Sequence, residues 1–173
     1  VLQPIKILGH LERWTLNELY LKDGSEYTVM LRSCNNALLC TEQNTTVIID
    51  STAPSVGSLA IETDHVIKLT RSAGSDFLGW QENQVNLTWI GFIDPHTDIE
   101  QYGILIGDSI FTRNLIQRDK AVLIKHNSFG PNFAHEGPLQ KATLKLNRPL
   151  KLWDKIYIKI WAENKAGLKS YPL

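Results

Sequence analysis

The residues with the most pointed chemistry are Cys34 and Cys40, which enclose only Asn-Asn-Ala-Leu-Leu. On the two arms of a hairpin, opposed Cα atoms lie about 4.5–5.5 Å apart, within reach of a disulfide. Closing so short a loop stabilises a fold by only about 2 kcal/mol in the chain-entropy treatment. Such a bridge would pin the turn rather than hold a domain together. Two reduced cysteines, one of them buried, are the alternative. With no second cysteine pair and no spaced histidine pair nearby, a zinc site is not indicated.

Two Asn-x-Thr sequons point to the same compartment as a disulfide. Asn44-Thr45-Thr46 follows the cysteine pair, and Asn86-Leu87-Thr88 lies further on. Asn86 has the opposite phase to Val85, Leu87 and Trp89, so a glycan on it would point into solvent. Chance alone also produces such triplets. Taken with the bridge, they favour an oxidising, extracellular setting, either secreted or on an ectodomain.

Catalytic signatures are wanting. His10, His65, His96, His126 and His135 form no His-x-x-x-His pair or Cys/His cluster, and no nucleophile elbow, phosphate loop or dinucleotide fingerprint appears. Asp94-Pro95-His96-Thr97-Asp98 gathers carboxylates and an imidazole, but Asp-Pro opens turns and the loop reads as a solvated turn. The expectation is a chain that is not an enzyme and takes no cofactor.

Charge is unevenly spread. The whole chain balances 18 Lys+Arg against 18 Asp+Glu, which argues against a dedicated nucleic-acid binder. Residues 141–173 hold seven Lys and one Arg against two acids, a local balance of +6. Lys145, Lys155 and Lys159 have the outward phase, and Tyr157 and Trp161 share it. If their two strands are neighbours, a basic patch with aromatic faces results, suited to a sulfated glycosaminoglycan or an acidic partner. The plain alternative is that lysine is an ordinary solvent-facing strand residue that discourages edge-to-edge association. Trp153 and Trp161 are candidates for packing against the adjacent domain or a partner, or for cover by an adjacent loop. Trp14 and Trp80 carry no clear phase. The stretch from His126 to Gln140, with Gly, Pro, two Phe and two His, has the length of a recognition loop.

The elements that must position these residues follow a period of two. Tyr27, Val29, Leu31 and Ser33 alternate with polar or outward residues, as do Val85, Leu87 and Trp89, then Tyr102, Ile104 and Ile106, then Ile156, Ile158, Ile160 and Ala162. Asp23-Gly24-Ser25, Ala53-Pro54-Ser55, Ser72-Ala73-Gly74-Ser75, Asp94-Pro95, Gly130-Pro131-Asn132 and Gly137-Pro138 punctuate them. No stretch carries a helical stripe, and no apolar run approaches the roughly 20 residues that cross a bilayer. The class is all-β, an antiparallel sandwich, with no membrane insertion within this chain.

An internal repeat sharpens this. Residues 27–39 lie over residues 156–168 at a constant offset of 129, alternating position on alternating position, with the Asn-x-Ala-x-Leu turn on its counterpart. The two copies imply two related domains in series. The first has only about 50 residues before Ser51-Thr52-Ala53-Pro54, half of a sandwich. The chain therefore reads as a piece of something longer, its opening strands supplied elsewhere.

Tyr27-x-Val-x-Leu-x-Ser-x-Asn35 and Ile156-x-Ile-x-Ile-x-Ala-x-Asn164-x-Ala-Gly-Leu168 resemble the sixth strand and following turn of fibronectin type III-like domains. Val85-Asn-Leu-Thr-Trp89 resembles the second strand of that fold with its core Trp, and Ile99 to Gly107 the third. Trp89-Ile-Gly-Phe-Ile-Asp-Pro95 running into Ile99-x-x-Tyr102 is similar to a divergent subset found in large invertebrate ectodomains. Ile49 to Gly57 resembles the linker between consecutive members. The chain departs from the family at Ile156, where the usual corner Tyr is missing. The resemblance implies an antiparallel Greek-key sandwich: residues 1–50 the C-terminal part of one domain, 51–57 a linker, and 58–173 a second domain. It also implies a non-catalytic binding or spacer module that engages a protein partner or a matrix component. The competing readings are a ligand-binding region of a cell-surface receptor, weakened by the absence of a Trp-Ser-x-Trp-Ser box, and an accessory β-domain of an extracellular enzyme.

Overall fold

A computed structural model describes residues 19–63, 66–70, 83–116, 120–128, 132–133, 137–150 and 154–173, with Gly9 and Thr15. Trp14, Trp80, Trp153, His10, His65, His135 and the Ser72–Ser75 turn lie outside them. The described residues contain strands and no helix, and the strands pair antiparallel. The chain divides into two compact units, Val1–Ile49 and Asp50–Leu173.

In the first unit β1 (Glu26–Cys34) and β2 (Cys40–Ile48) form a hairpin in register from Glu26↔Ile48 to Cys34↔Cys40. Its β-branched and apolar content suits a pleated ribbon. The Tyr27 hydroxyl accepts a hydrogen bond from the Lys22 N–H at 2.9 Å. The alternation expected to bury Val29 and Leu31 does not do so here: they are 48% and 62% exposed. A two-stranded ribbon has no layer of its own to lay over its apolar face.

The second unit is a sandwich. One sheet has the order β10-β5-β3-β4, formed by β3 (Ser58–Thr63), β4 (Val66–Thr70), β5 (Gln84–Ile90) and β10 (Gln140–Lys145). The other has the order β11-β6-β7, formed by β6 (Ile99–Gly107), β7 (Val122–Lys125) and β11 (Tyr157–Asn164). The short pair β8 (Asn132–Phe133) and β9 (Gly137–Pro138) lies in the long loop between β7 and β10. That loop is anchored by buried Gln140, whose side chain accepts from the Asn127 N–H and donates to the Asn127 and Pro138 carbonyls.

Inward residues of both sheets meet in one core: Val85, Leu87 and Trp89 from β5, Tyr102, Ile104 and Ile106 from β6, and Ile160 and Ala162 from β11. Trp89 packs edge-on against Tyr102 with ring centroids 5.2 Å apart, a favoured aromatic geometry. Truncating so large a buried side chain costs about 3–5 kcal/mol. Outward Thr88 is buried too, so the outer face of β5 is only partly solvated.

The sequence repeat has a hydrogen-bonded counterpart. In the first unit the Asn35 N–H bonds to the Leu39 carbonyl, the Leu38 N–H to the Asn35 carbonyl, and Asn35 Oδ1 accepts from the Leu39 N–H, each at 3.0 Å. In the second unit Asn164, Gly167 and Leu168 reproduce these bonds at 3.0, 2.9 and 2.8 Å. Leu38 and Gly167 both adopt the left-handed conformation, with φ of 60° and 80°. After this turn the tail runs back beside β11, with Ser170 and Leu173 N–H groups bonded to the Ala162 and Ile160 carbonyls. Glu163 and Lys169 face each other as Cys34 and Cys40 do in the first unit.

Candidate functional site

The cysteine pair is where hairpin register puts it. Cys34 and Cys40 are joined, Cα to Cα 4.0 Å, across the last rung of the β1–β2 ribbon. At the equivalent rung of the second unit the pair is Glu163 and Lys169, whose charges lie 3.7 Å apart. A covalent rung in one copy is thus an ion pair in the other.

Asn44 stands opposite Met30 on the exposed ribbon. Asn86 lies on the outer face of β5, as its phase requires, but is half-buried, and Thr143 Oγ1 donates to its Oδ1 at 2.7 Å.

The basic patch is divided by the fold. Lys145 ends β10, between inward Leu144 and Leu146, and β10 pairs with β5. Lys155, Tyr157, Lys159 and Trp161 belong to β11 and the residues just before it, and β11 pairs with β6. The two strands are not neighbours. The chain crosses from one sheet to the other between them, so Lys145 does not join the patch.

What β11 has instead is a groove of about 470 Å³ on the outer face of its sheet. Tyr157, Lys159 and Trp161 line it at successive outward positions, Leu105 of β6 faces Lys159, and the 109–113 turn and the tail from Lys169 to Pro172 form its walls. The Trp161 ring lies on Gly103: a Cβ there would come within 2.1 Å of the indole, so β6 needs glycine at that rung. The Trp161 N–H is buried and has no hydrogen-bond acceptor.

The turn wall is built by Asp108. Its carboxylate accepts from Thr112 Oγ1 and Asn114 Nδ2, each at 2.7 Å, and these bonds hold the acid below its ordinary range. Phe111 at the tip is 89% exposed, and Arg113 follows it. Among the described residues the groove is therefore lined by three cations, Arg113, Lys159 and Lys169, and three aromatic rings, with no carboxylate. Phe111, Arg113 and Lys169 escaped the sequence reading because a turn and a tail have no period to reveal which way they face.

A second constellation sits where β11 ends. Buried Asn164 donates through Nδ2 to Asp50 Oδ2 at 2.8 Å, Asp94 Oδ2 at 3.0 Å and the Thr52 carbonyl at 3.2 Å. Asp94 Oδ1 in turn accepts from the His96 and Thr97 N–H groups at 3.0 and 2.8 Å, closing the turn read in the sequence. Burial would raise the Asp94 carboxyl, but the Thr97, His96 and Asn164 hydrogen bonds outweigh it and hold it below 3.8. Nearby, the Tyr102 hydroxyl and His126 Nδ1 share a 2.9 Å hydrogen bond, and burial pushes the phenol well above its usual value. The stretch from Asp50 to Gly57 is bound into this unit, since Ser55 exchanges backbone and hydroxyl hydrogen bonds with Ile93.

Among the described residues no group of three or more His, Cys, Asp and Glu could hold a metal, and no helix is long and apolar enough to cross a membrane. Comparison of the chain with protein-family models, curated proteins and solved structures gives no match.

Proposed function

We propose that this chain is a non-catalytic, extracellular binding and spacer module of fibronectin type III-like sandwiches in series. The observation that carries the reading is the matched pair of asparagine turns, three hydrogen bonds for three, at the repeat offset. Two units built on one strand–turn–strand plan are what a tandem array contains.

Further features support the family. Strands β3, β5 and β10 share one sheet, and β6, β7, β11 and the returning tail the other, with the chain changing sheets after β5, β7 and β10. That order supports a Greek-key reading, with β4 an added strand beside β3. The Tyr27 bond to the backbone five residues upstream has the form of a tyrosine corner. The Cys34–Cys40 bridge favours an oxidising compartment. The partner in this reading is a protein or a matrix component, held by exposed side chains on rigid sheets.

The experiment is the intact mass of protein from its native source, before and after glycan release, with thiols counted under denaturation. Glycan on Asn44 or Asn86 and no free thiol is expected. An unmodified chain with two free thiols would overturn the reading.

A further inference from the structure

The groove on the outer face of the β11–β6 sheet narrows the choice of ligand. Its floor is flat where Gly103 gives up a side chain to the Trp161 ring. Along β11, Tyr157, Lys159 and Trp161 alternate ring, cation, ring, with successive same-face side chains about 7 Å apart. Arg113 stands on the turn wall and Lys169 on the tail wall. Positive charge thus flanks a row of rings on both sides. Among the described residues Lys159 and Arg113 make no ion pair, while Lys169 keeps only a long contact with half-buried Glu163.

The charge of that lining is one-sided. Arg and Lys donate and never accept. Among the described residues no Asp, Glu, Asn or Gln side chain lines the groove, and its side-chain acceptors are only the neutral hydroxyls of Ser109, Thr112, Ser170 and Tyr157. A nucleobase or neutral sugar that needs charged or carboxamide acceptors is therefore poorly served. What fits is a chain bearing repeated anionic groups along its edges, with flat apolar faces between them to lie on aromatic rings. An extracellular polymer of that description is a sulfated polysaccharide. Its sulfates would meet the two walls, and its sugar-ring faces would lie on Tyr157, Trp161 and Phe111.

We propose that this groove binds a sulfated polysaccharide through Arg113, Lys159 and Lys169, with Phe111, Tyr157 and Trp161 as the stacking surface. The proposal rests on the extracellular reading above and names the partner class for it. It replaces the sequence-level patch, moving the site away from Lys145.

The test is titration of the intact chain with a heparin oligosaccharide of defined length at low and physiological salt. Binding is expected to weaken as salt rises, as screening of a charged interface requires. Lys159→Glu and Arg113→Glu are each expected to weaken it by about tenfold. Phe111→Ala, at a side chain too exposed to affect folding, is expected to weaken it several-fold. Lys145→Glu, the same charge change made on the other sheet, should bind as the parent does. Fully desulfated oligosaccharide should not bind. Equal loss with Lys145→Glu, retention of the desulfated chain, or equally tight binding of single-stranded DNA or poly-glutamate through the same residues overturns the assignment. The outcomes separate from those of the mass experiment. A glycosylated, bridged chain that ignores heparin removes the groove ligand and leaves the module. An unmodified chain with free thiols that binds polyanions removes both the extracellular reading and the polysaccharide.

Discussion

Asn164 Nδ2 donates to Asp50 Oδ2 at 2.8 Å across 114 positions of sequence. The same carboxamide reaches Asp94 and the Thr52 carbonyl on one side, while its oxygen accepts the Leu168 N–H of its own turn. One side chain therefore fastens the first residues of the second unit, the loop after β5 and the return from β11 to each other.

Replacing Asn164 by Ala takes a buried donor away from three half-buried acceptors and an acceptor from the Leu168 N–H at once, and the expected cost is about 2–3 kcal/mol. Asn164→Asp should be worse at neutral pH, because a third carboxylate would sit against Asp50 and Asp94. Part of that loss should return on mild acidification as the cluster takes up a proton. Urea midpoints of both variants at pH 7 and pH 5 measure this. Equal midpoints for the two variants at neutral pH would show that Asp50 and Asp94 are already relaxed apart.

The two asparagine turns make a reciprocal experiment. Leu38 holds φ of 60°, which costs a side-chain-bearing residue about 1–2 kcal/mol, whereas Gly167 occupies the matching place at no steric cost. Leu38→Gly should relieve that strain, less about 0.5–1 kcal/mol for glycine's greater freedom when unfolded. The expected net is a small gain, seen as slower hydrogen exchange at the Asn35 amide. Gly167→Ala should lower the urea midpoint. Faster exchange in the first variant, or no change in the second, would mean that the turns do not carry the same strain.

Much of this was legible because burial and alternation coincide in a sheet with one inner face. Val85, Leu87 and Trp89 announce β5, and Ile160 and Ala162 announce β11. The Cys34–Cys40 rung and the asparagine turns were legible because both are local. The bonds from Asn164 to Asp50 and Asp94 were not, since the motif that marks the Asn164 turn says nothing of what its side chain meets and only the closed fold brings the three together. Lys145 and Lys159 look alike in sequence, yet the crossing between sheets separates them. Thr88 shows the limit of phase: it points away from the core and is buried anyway.

Gly103 and Trp161 should behave as one feature. Gly103→Ala puts a methyl group into the indole and should destabilise by about 1–3 kcal/mol, the usual cost of overpacking. Trp161→Phe should cost only the packing of the ring atoms it removes over Gly103, because the N–H lost with them makes no hydrogen bond. In the double variant Gly103→Ala/Trp161→Ala the methyl meets open space, so the two losses should fall well short of additive. A thermodynamic cycle from urea melts tests this, and additive losses would show that the ring does not rest on Gly103.

Stability should fall with pH in two separate steps. Burial foremost, helped by the charge of Lys165 and opposed by Asp98, lowers His126 below its ordinary 6.5. Above 6.5 the imidazole is neutral whether the chain is folded or not, and its contribution is fully present. As pH falls below 6.5 the unfolded chain takes the proton first, so stability declines until the folded-state value is passed and then levels off. Asp94 and Asp108 are both lowered from 3.8, so their contributions are present above 3.8 and are lost only below it. Urea midpoints from pH 8 to pH 3 should therefore be flat, then step down below 6.5, then fall again in strong acid. His126→Gln, which leaves Tyr102 a hydrogen-bond partner, should erase the upper step and spare the lower one. Asn164→Ala, by removing a bond that holds Asp94 ionised, should shrink the lower step and spare the upper. An upper step that survives His126→Gln would assign it to another group and break the link between this histidine and the core tyrosine.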